Sequence, residues 1–327
     1  MQPSPYTVVL IIPTGIGAAI GGSAGDALPV ARAIAQVADC LITHPNVLNG
    51  AQLYWPLPQA LYVEGYGLDQ FAAGAWGLQP VRQNRIGLLL DQGIEPDLRL
   101  RHLQVADAAQ ATLGLQLTDY VVTDTPLGVT LKTAASGATW GTIAHPDSLL
   151  RAARKLIDQA GAEAVISHLI VRELGIPCAH APALLPLPVD AAVSPRSAAE
   201  ELGYTFLPCV LVGLSRAPQF VPLTALTGNG WPTAGPQTAP LLATQVNAVV
   251  IPATASGGSA VLALSQAGAK VIAVQANFTK MQVTPAALGI SATLVNTYLE
   301  ALGVLVCDRA GIAHSALQAH IQPLKEL

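Results

Sequence analysis

Short apolar runs alternate with stretches of helical periodicity along most of this chain, and that alternation limits the possible folds more than any other feature. Strands that alternate with helical patterns read as parallel strands joined by crossover helices. The expected fold class is α/β, Rossmann-like, with a largely parallel sheet or sheets and a long irregular insertion after the second strand.

The first run, Thr7–Pro13, leads into a Gly-rich loop from Gly15 to Gly25 and a helix near Ala27–Val37; Cys40–Thr43 is the second strand. The stretch after it, 45–83, is rich in Gly and Pro and too irregular for a simple crossover, so it reads as a functional insertion or lid. Strand Ile86–Leu90, a helix over Leu98–Leu113 and strand Tyr120–Thr123 follow, and then a Gly/Thr-rich loop from Pro126 to Ala144. Pro146 opens a helix with the stripe Leu149, Leu150, Ala153, Leu156 and Ile157, and Gly161 closes it ahead of strand Ala164–Ser167. A Pro-rich linker at 182–195 divides an N-terminal domain, 1–181, from a C-terminal one, 196–327. The second half opens with a capping box at Ser197–Glu200 and a strand at Phe206–Leu214. Strand Asn247–Ala253, a turn and helix over Gly257–Gly268 and strand Lys270–Gln275 form the clearest βαβ unit. A helix over Leu294–Leu302 and a strand at Val304–Cys307 end the pattern.

Composition narrows function. With 16 Lys and Arg and a net charge of −4, the chain lacks the basic reserve that a nucleic-acid binder needs. Hydrophobic residues make up 51% and mean hydropathy is +0.46, which excludes general disorder and raises the question of a membrane. A spanning helix needs about 20 consecutive apolar residues, and the longest runs, such as Val8–Ile12 and Val249–Ile251, fall far short. The uncharged segment between Arg216 and Lys270 is cut by Pro218, Pro222, Pro232 and Pro240 and reads as buried globular chain. No positive charge precedes the first apolar run, which argues against a secretory signal. Scattered cysteines, Cys40, Cys178, Cys209 and Cys307, read as buried thiols of a reducing compartment. The expected location is the cytoplasm, and a charge-poor surface implies a homo-oligomer.

Two strand-to-helix junctions look suited to anions. Gly15, Gly17 and Gly21 follow the first strand as a dinucleotide fingerprint does, although the spacing is GxGxxxG and Asp26 stands at the helix start. The second junction, with Thr254, Ser256, Gly257, Gly258 and Ser259, has no acidic residue nearby and is the better phosphate or carboxylate cradle. Ligands of open parallel sheets bind outside the carboxyl ends of the strands. Thr14, His44, Asp91, Asp124, His168, Ser256 and Asn277 all end apolar runs and are expected to line one rim. His44 and His168 are the candidate acid/base groups, because imidazole titrates near neutrality; Asp91 and Asp124 would orient them. Asn46 and Asn49 beside His44 would hydrogen-bond a polar substrate. Glu64 is an acid among aromatics, and Cys178-Ala-His180 is at most half of a metal site, so no metal is expected.

The strings IIPTGIGAAIGG, GDALPVARAIA, THPNVLNG, YWPLPQALYVEGY and VRQNRIGLLLD resemble a family of unknown function widespread in cyanobacteria and plastids, over nearly the whole chain. That resemblance implies a cyanobacterial cytoplasm or a plastid stroma and transfers no catalytic residue. The leading expectation is an enzyme acting on a small anionic metabolite at the strand ends. The alternatives are an NAD(P)-dependent oxidoreductase using the Gly15–Gly21 loop and a non-catalytic ligand-binding or assembly protein.

Overall fold

The computed structural model describes residues 4–12, 27–44, 48, 53, 55–133, 139–159, 167–181, 183, 206–226, 239–277, 279 and 281–321. The chain begins with strand β1 (Thr7–Leu10), helix α1 (Leu28–Ile34), β2 (Cys40–Thr43), β3 (Ala60–Tyr62), α2 (Gly65–Ala72) and β4 (Trp76–Gln79). It continues through β5 (Arg85–Leu90), α3 (Pro96–Leu113), β6 (Gln116–Val122), β7 (Val129–Thr133), β8 (Thr139–Ile143), α4 (Pro146–Gln159) and α5 (Ser167–Leu174). Then come α6 (Phe206–Ser215), β9 (Gln219–Pro222), α7 (Leu223–Leu226), β10 (Val246–Pro252), α8 (Ser259–Gln266), β11 (Lys270–Val274), β12 (Ala292–Val295) and α9 (Tyr298–Arg309).

Six of these strands form one parallel sheet in the order β12-β11-β10-β1-β2-β3. Its strands come from both expected halves of the chain: Leu10 of β1 lies between Val250 of β10 and Thr43 of β2. The winding runs outward from β1 to β3 on one side and from β10 to β12 on the other, so it reverses between β1 and β10. At such a reversal the crossovers diverge and leave a crevice at the carboxyl ends.

Side chains alternate between the two faces of a strand, and here each face has its own core. Val9, Ile42, Leu61 and Val249 pack with Leu68 and Phe71 of α2, Leu149 and Leu156 of α4, Ile170 of α5 and Leu264 of α8. Val8, Leu10, Leu41, Val250 and Ile272 face the other way, onto Leu28, Ala31 and Ile34 of α1 and Ala301, Val304 and Leu305 of α9. Burial on both faces explains why these strands read as unbroken apolar runs. A third cluster joins Tyr62 to α3 and α6 through Ala106, Ala109, Val210 and Leu211. Gly213 permits that approach, because a Cβ there would stand 2.7 Å from the Tyr62 ring.

Several elements differ from expectation. The 45–83 stretch is no irregular insertion in its described part: it carries β3, the edge strand of the main sheet, together with α2 and β4. The Pro126–Ala144 loop contains an antiparallel hairpin, β7–β8, paired from Val129↔Ile143 to Thr133↔Thr139. Phe206–Leu214 is helical, because an apolar run with no periodicity also suits a helix enclosed on all sides. Val304–Cys307 belongs to α9, while Leu294, expected in a helix, lies in β12. Ser167, expected at a strand end, opens α5. β5 and β6 pair in parallel as a separate two-stranded sheet, and β4 pairs antiparallel with β9. The Gly15–Gly25 loop, the Ser197–Glu200 box and, apart from Ala183, the 182–195 linker lie outside the described residues.

Candidate functional site

β2 ends at Thr43 and β3 at Tyr62, and the two are parallel neighbours, so His44 and Glu64 emerge on the same edge of the sheet. Thr43 is buried and donates its hydroxyl to the carbonyl of Leu10 at 2.9 Å, which locks the end of β2 against β1. Nε2 of His44 accepts the backbone N–H of Ile12 at 3.3 Å. An accepting Nε2 puts the proton of the neutral ring on Nδ1. Protein surrounds this ring although part of it meets solvent, and desolvation pulls its pKa down to about 4 against the pull of Glu64.

Glu64 is the buried centre of the arrangement. It caps α2 from an extended backbone, with Oε2 accepting the N–H of Tyr66 at 2.8 Å. Its other oxygen, Oε1, lies 3.4 Å from Nδ1 of His168, the second residue of α5. This contact raises the His168 pKa against a smaller desolvation effect. The Tyr66 ring stands edge-on to His168 at 5.2 Å and edge-on to Trp76 at 5.8 Å, and Trp76 stacks on Phe220 at 5.1 Å. This aromatic row holds α5 against α2.

A third imidazole belongs to the same field. Nδ1 of His180 lies 3.2 Å from the hydroxyl of Ser167, the buried first residue of α5. Desolvation lowers the His180 pKa, and the Glu64 charge opposes it. Its ring is nevertheless exposed. His180 lines a small cavity together with Leu89, Ile94, His102 and Leu211. Glu64 thus contacts His168 and raises its pKa, while burial lowers the pKa values of His44 and His180 against a weaker pull from the same carboxylate.

The expected anion cradle is taken up by the chain itself. Oδ1 of Asp69, on α2, accepts the N–H of Ala260 at 3.1 Å, so a carboxylate from within the protein already stands at the start of α8. Ser256 is buried, donating its hydroxyl to the carbonyl of Ala253 at 3.4 Å and its N–H to Val283 at 2.9 Å. The Thr254 and Thr279 hydroxyls bond each other at 2.8 Å. A Cβ on Gly257 would lie 3.1 Å from the Val283 side chain; Gly258 caps α8 and Ser259 opens it. These residues close a turn.

Asp91 and Asp124 stand on the β5–β6 sheet, apart from His44. Oδ1 of Asp91 accepts the N–H of Gly93 at 2.9 Å and of Leu127 at 3.0 Å. Asp124 is bound by Arg151 at 2.9 Å and by the Ser148 hydroxyl, contacts that hold its carboxyl below the usual range. Asp91 ties its turn to Leu127 and Asp124 ties the end of β6 to α4; among the described residues neither bonds a histidine. Asn277 is buried and donates to the Tyr298 hydroxyl at 2.7 Å. Thr14, Gly15, Gly17, Gly21, Asn46 and Asn49 lie outside the described residues. Among the described residues no three His, Cys, Asp or Glu side chains are grouped to hold a metal.

A family model described as a protein of unknown function, DUF3326, matches residues 7–161 and 157–318. The chain belongs to the DUF3326 family. A relative named uncharacterized lipoprotein syc1174_c, from Synechococcus sp. (strain ATCC 27144 / PCC 6301 / SAUG 1402/1), is 54% identical over 343 residues, covering 95% of this chain and 93% of its own. No solved structure matches the DUF3326 chain. Among the described residues no helix is long and apolar enough to cross a membrane.

Of the expected rim of this DUF3326 protein, the structure brings His44 and His168 under one carboxylate. Sequence reasoning saw Glu64 only as an acid among aromatics: Glu64 is not a favoured helix cap, and nothing local marks it as a partner of a residue more than a hundred positions later. His180 was weighed only as a metal ligand, and Ser167 only as the end of a strand. Their shared signal, two polar residues bracketing an apolar helix, becomes readable once α5 folds back on α2.

Proposed function

We propose that this protein is an enzyme that moves protons on a small anionic metabolite held at the carboxyl edge of the six-stranded sheet. The carrying observation is the Glu64 carboxylate shared by His168, whose pKa it raises, and by His44 and His180, whose pKa values burial lowers. In this reading His168, charged and outward-facing, binds the phosphate or carboxylate and donates a proton. A neutral imidazole, His44 or His180, takes one. The test is an NMR titration of the histidines in the full chain, with and without a panel of small phosphates and carboxylates. A ligand that raises the His168 pKa further and is lost in Glu64→Gln supports the reading. A panel that perturbs none of the three rings overturns it in favour of a non-catalytic assembly role.

A second reading has its own support. The strand order reverses beside β1, and the chain leaving β1 is the Gly15–Gly21 loop, where an NAD(P) pyrophosphate would lie. The residue after β2, where an acid binds the ribose in dinucleotide folds, is His44, which weighs against it. Stabilisation by NAD(P) but by no small anion in a thermal-shift screen would make it the leading reading. A cytoplasmic or stromal location fits four cysteines that remain thiols; the relative's name suggests a lipid anchor instead, and membrane fractionation decides between them. A homo-oligomer accords with exposed Leu294, Leu299 and Val306, and a monomer in light scattering would exclude it.

A further inference from the structure

Among the described residues, Ser167 and His180 make a serine–histidine contact whose hydroxyl the proton-transfer reading does not use. We propose that Ser167 is a nucleophile activated by His180 and that the substrate is a carboxylic ester of a small acid. The inference rests on the cavity described above and names its substrate class.

Three observations converge on the pair. Nδ1 of His180 is 3.2 Å from Oγ of Ser167, within reach for taking the hydroxyl proton. Burial keeps the imidazole neutral at rest, as a base must be, while the Glu64 charge favours the imidazolium that forms once the proton arrives. His180 also lines a cavity of about 40 Å³ with His102, Leu89, Leu90, Ile94 and Leu211, a mostly apolar space sized for a short aliphatic acyl group.

The chemistry closes without an added reactant other than water. Oγ of Ser167 bonds to the ester carbonyl carbon as its proton passes to His180. The tetrahedral oxyanion collapses, the ester C–O bond breaks, and the alcohol leaves with the proton from His180. Water then adds to the acyl-serine, giving its proton to His180, and collapse returns that proton to Oγ and releases the acid.

The experiment uses the full wild-type chain with diisopropyl fluorophosphate, followed by intact mass and peptide mapping. We expect one adduct, on Ser167. His180→Gln should slow its formation by about 100-fold, with circular dichroism and thermal melting confirming that the variant is folded. No adduct on Ser167 in the wild type, or an unchanged rate in folded His180→Gln, overturns the proposal. The histidine titrations with phosphates and carboxylates are read independently, so the pair can fail while the acid–base reading stands, and the reverse.

Discussion

Two sets of strand ends in this molecule carry ionisable residues, and they have opposite fates. At the ends of β5 and β6, Asp91 and Asp124 are taken up in structural bonds: Asp91 by the amides of Gly93 and Leu127, Asp124 by Arg151 and Ser148 of α4. At the ends of β2 and β3, His44 and Glu64 face groups from elsewhere in the chain, among them Ile12 and His168. The difference lies in the surroundings. β5 and β6 form a separate two-stranded sheet at whose ends Asp91 is half-buried and Asp124 exposed, whereas β2 and β3 belong to a sheet covered by helices on both faces, where Glu64 is buried and polar groups must find partners. A polar residue at a strand end is a functional signal where it is buried against another titratable group, as Glu64 is against His168.

The comparison is most exposed to failure at Glu64. Glu64→Gln removes the charge that His168 pairs with, so the His168 pKa should fall and turnover of any substrate should drop by about 10²–10⁴-fold; a His168 titration identical to wild type breaks the contrast. His44 provides the next largest effect through pH. Its folded pKa, about 4, is depressed below the ordinary 6.5, so the folded state excludes a proton that the unfolded state binds. The His44 contribution to stability is whole above pH 6.5 and is lost as pH falls toward 4, by on the order of 3 kcal/mol. Urea melts across that range should show the loss, and His44→Phe should flatten it. His168 carries the reverse sign: its folded pKa is raised, so its contribution is present at low pH and fades as pH climbs through the folded value.

Smaller effects sharpen the other side. Asp91→Ala strands the amides of Gly93 and Leu127 and should cost about 1–2 kcal/mol in chemical denaturation, with the histidine titrations unmoved. Asp69→Ala uncaps α8 and should cost about 0.5–2 kcal/mol. The least change is expected from Asp124→Asn, whose carboxylate is exposed: unaltered His44, His168 and His180 titrations, read by NMR, place it outside the site.

Much of the architecture was legible before folding was considered. Val8–Leu10, Ile42, Val249–Ile251 and Val271–Val274 are strands because an unbroken apolar run between turn residues suits a sheet buried on both faces; the helix Pro146–Gln159 starts at its proline as expected, and the one expected over Leu98–Leu113 starts two residues earlier, at Pro96. Phe206–Ser215 and Val304–Cys307 were misread for one reason: where every side of an element is apolar, periodicity carries no information. The anion cradle at Thr254–Ser259 failed differently. Its composition was right for a phosphate, but the carboxylate that occupies the helix start, Asp69, lies 191 residues away from Ala260.

By itself the sequence determined the parallel α/β class, the strand that ends before His44 and membership of the DUF3326 family, because apolar runs are local properties. Tertiary structure alone decided which polar groups meet. That Glu64 pairs with His168, that Asp69 caps α8 and that Ser167 meets His180 depend on how α2, α5 and α8 cross. Burial and pairing, which set a pKa and hence a chemical role, exist only after those crossings are made.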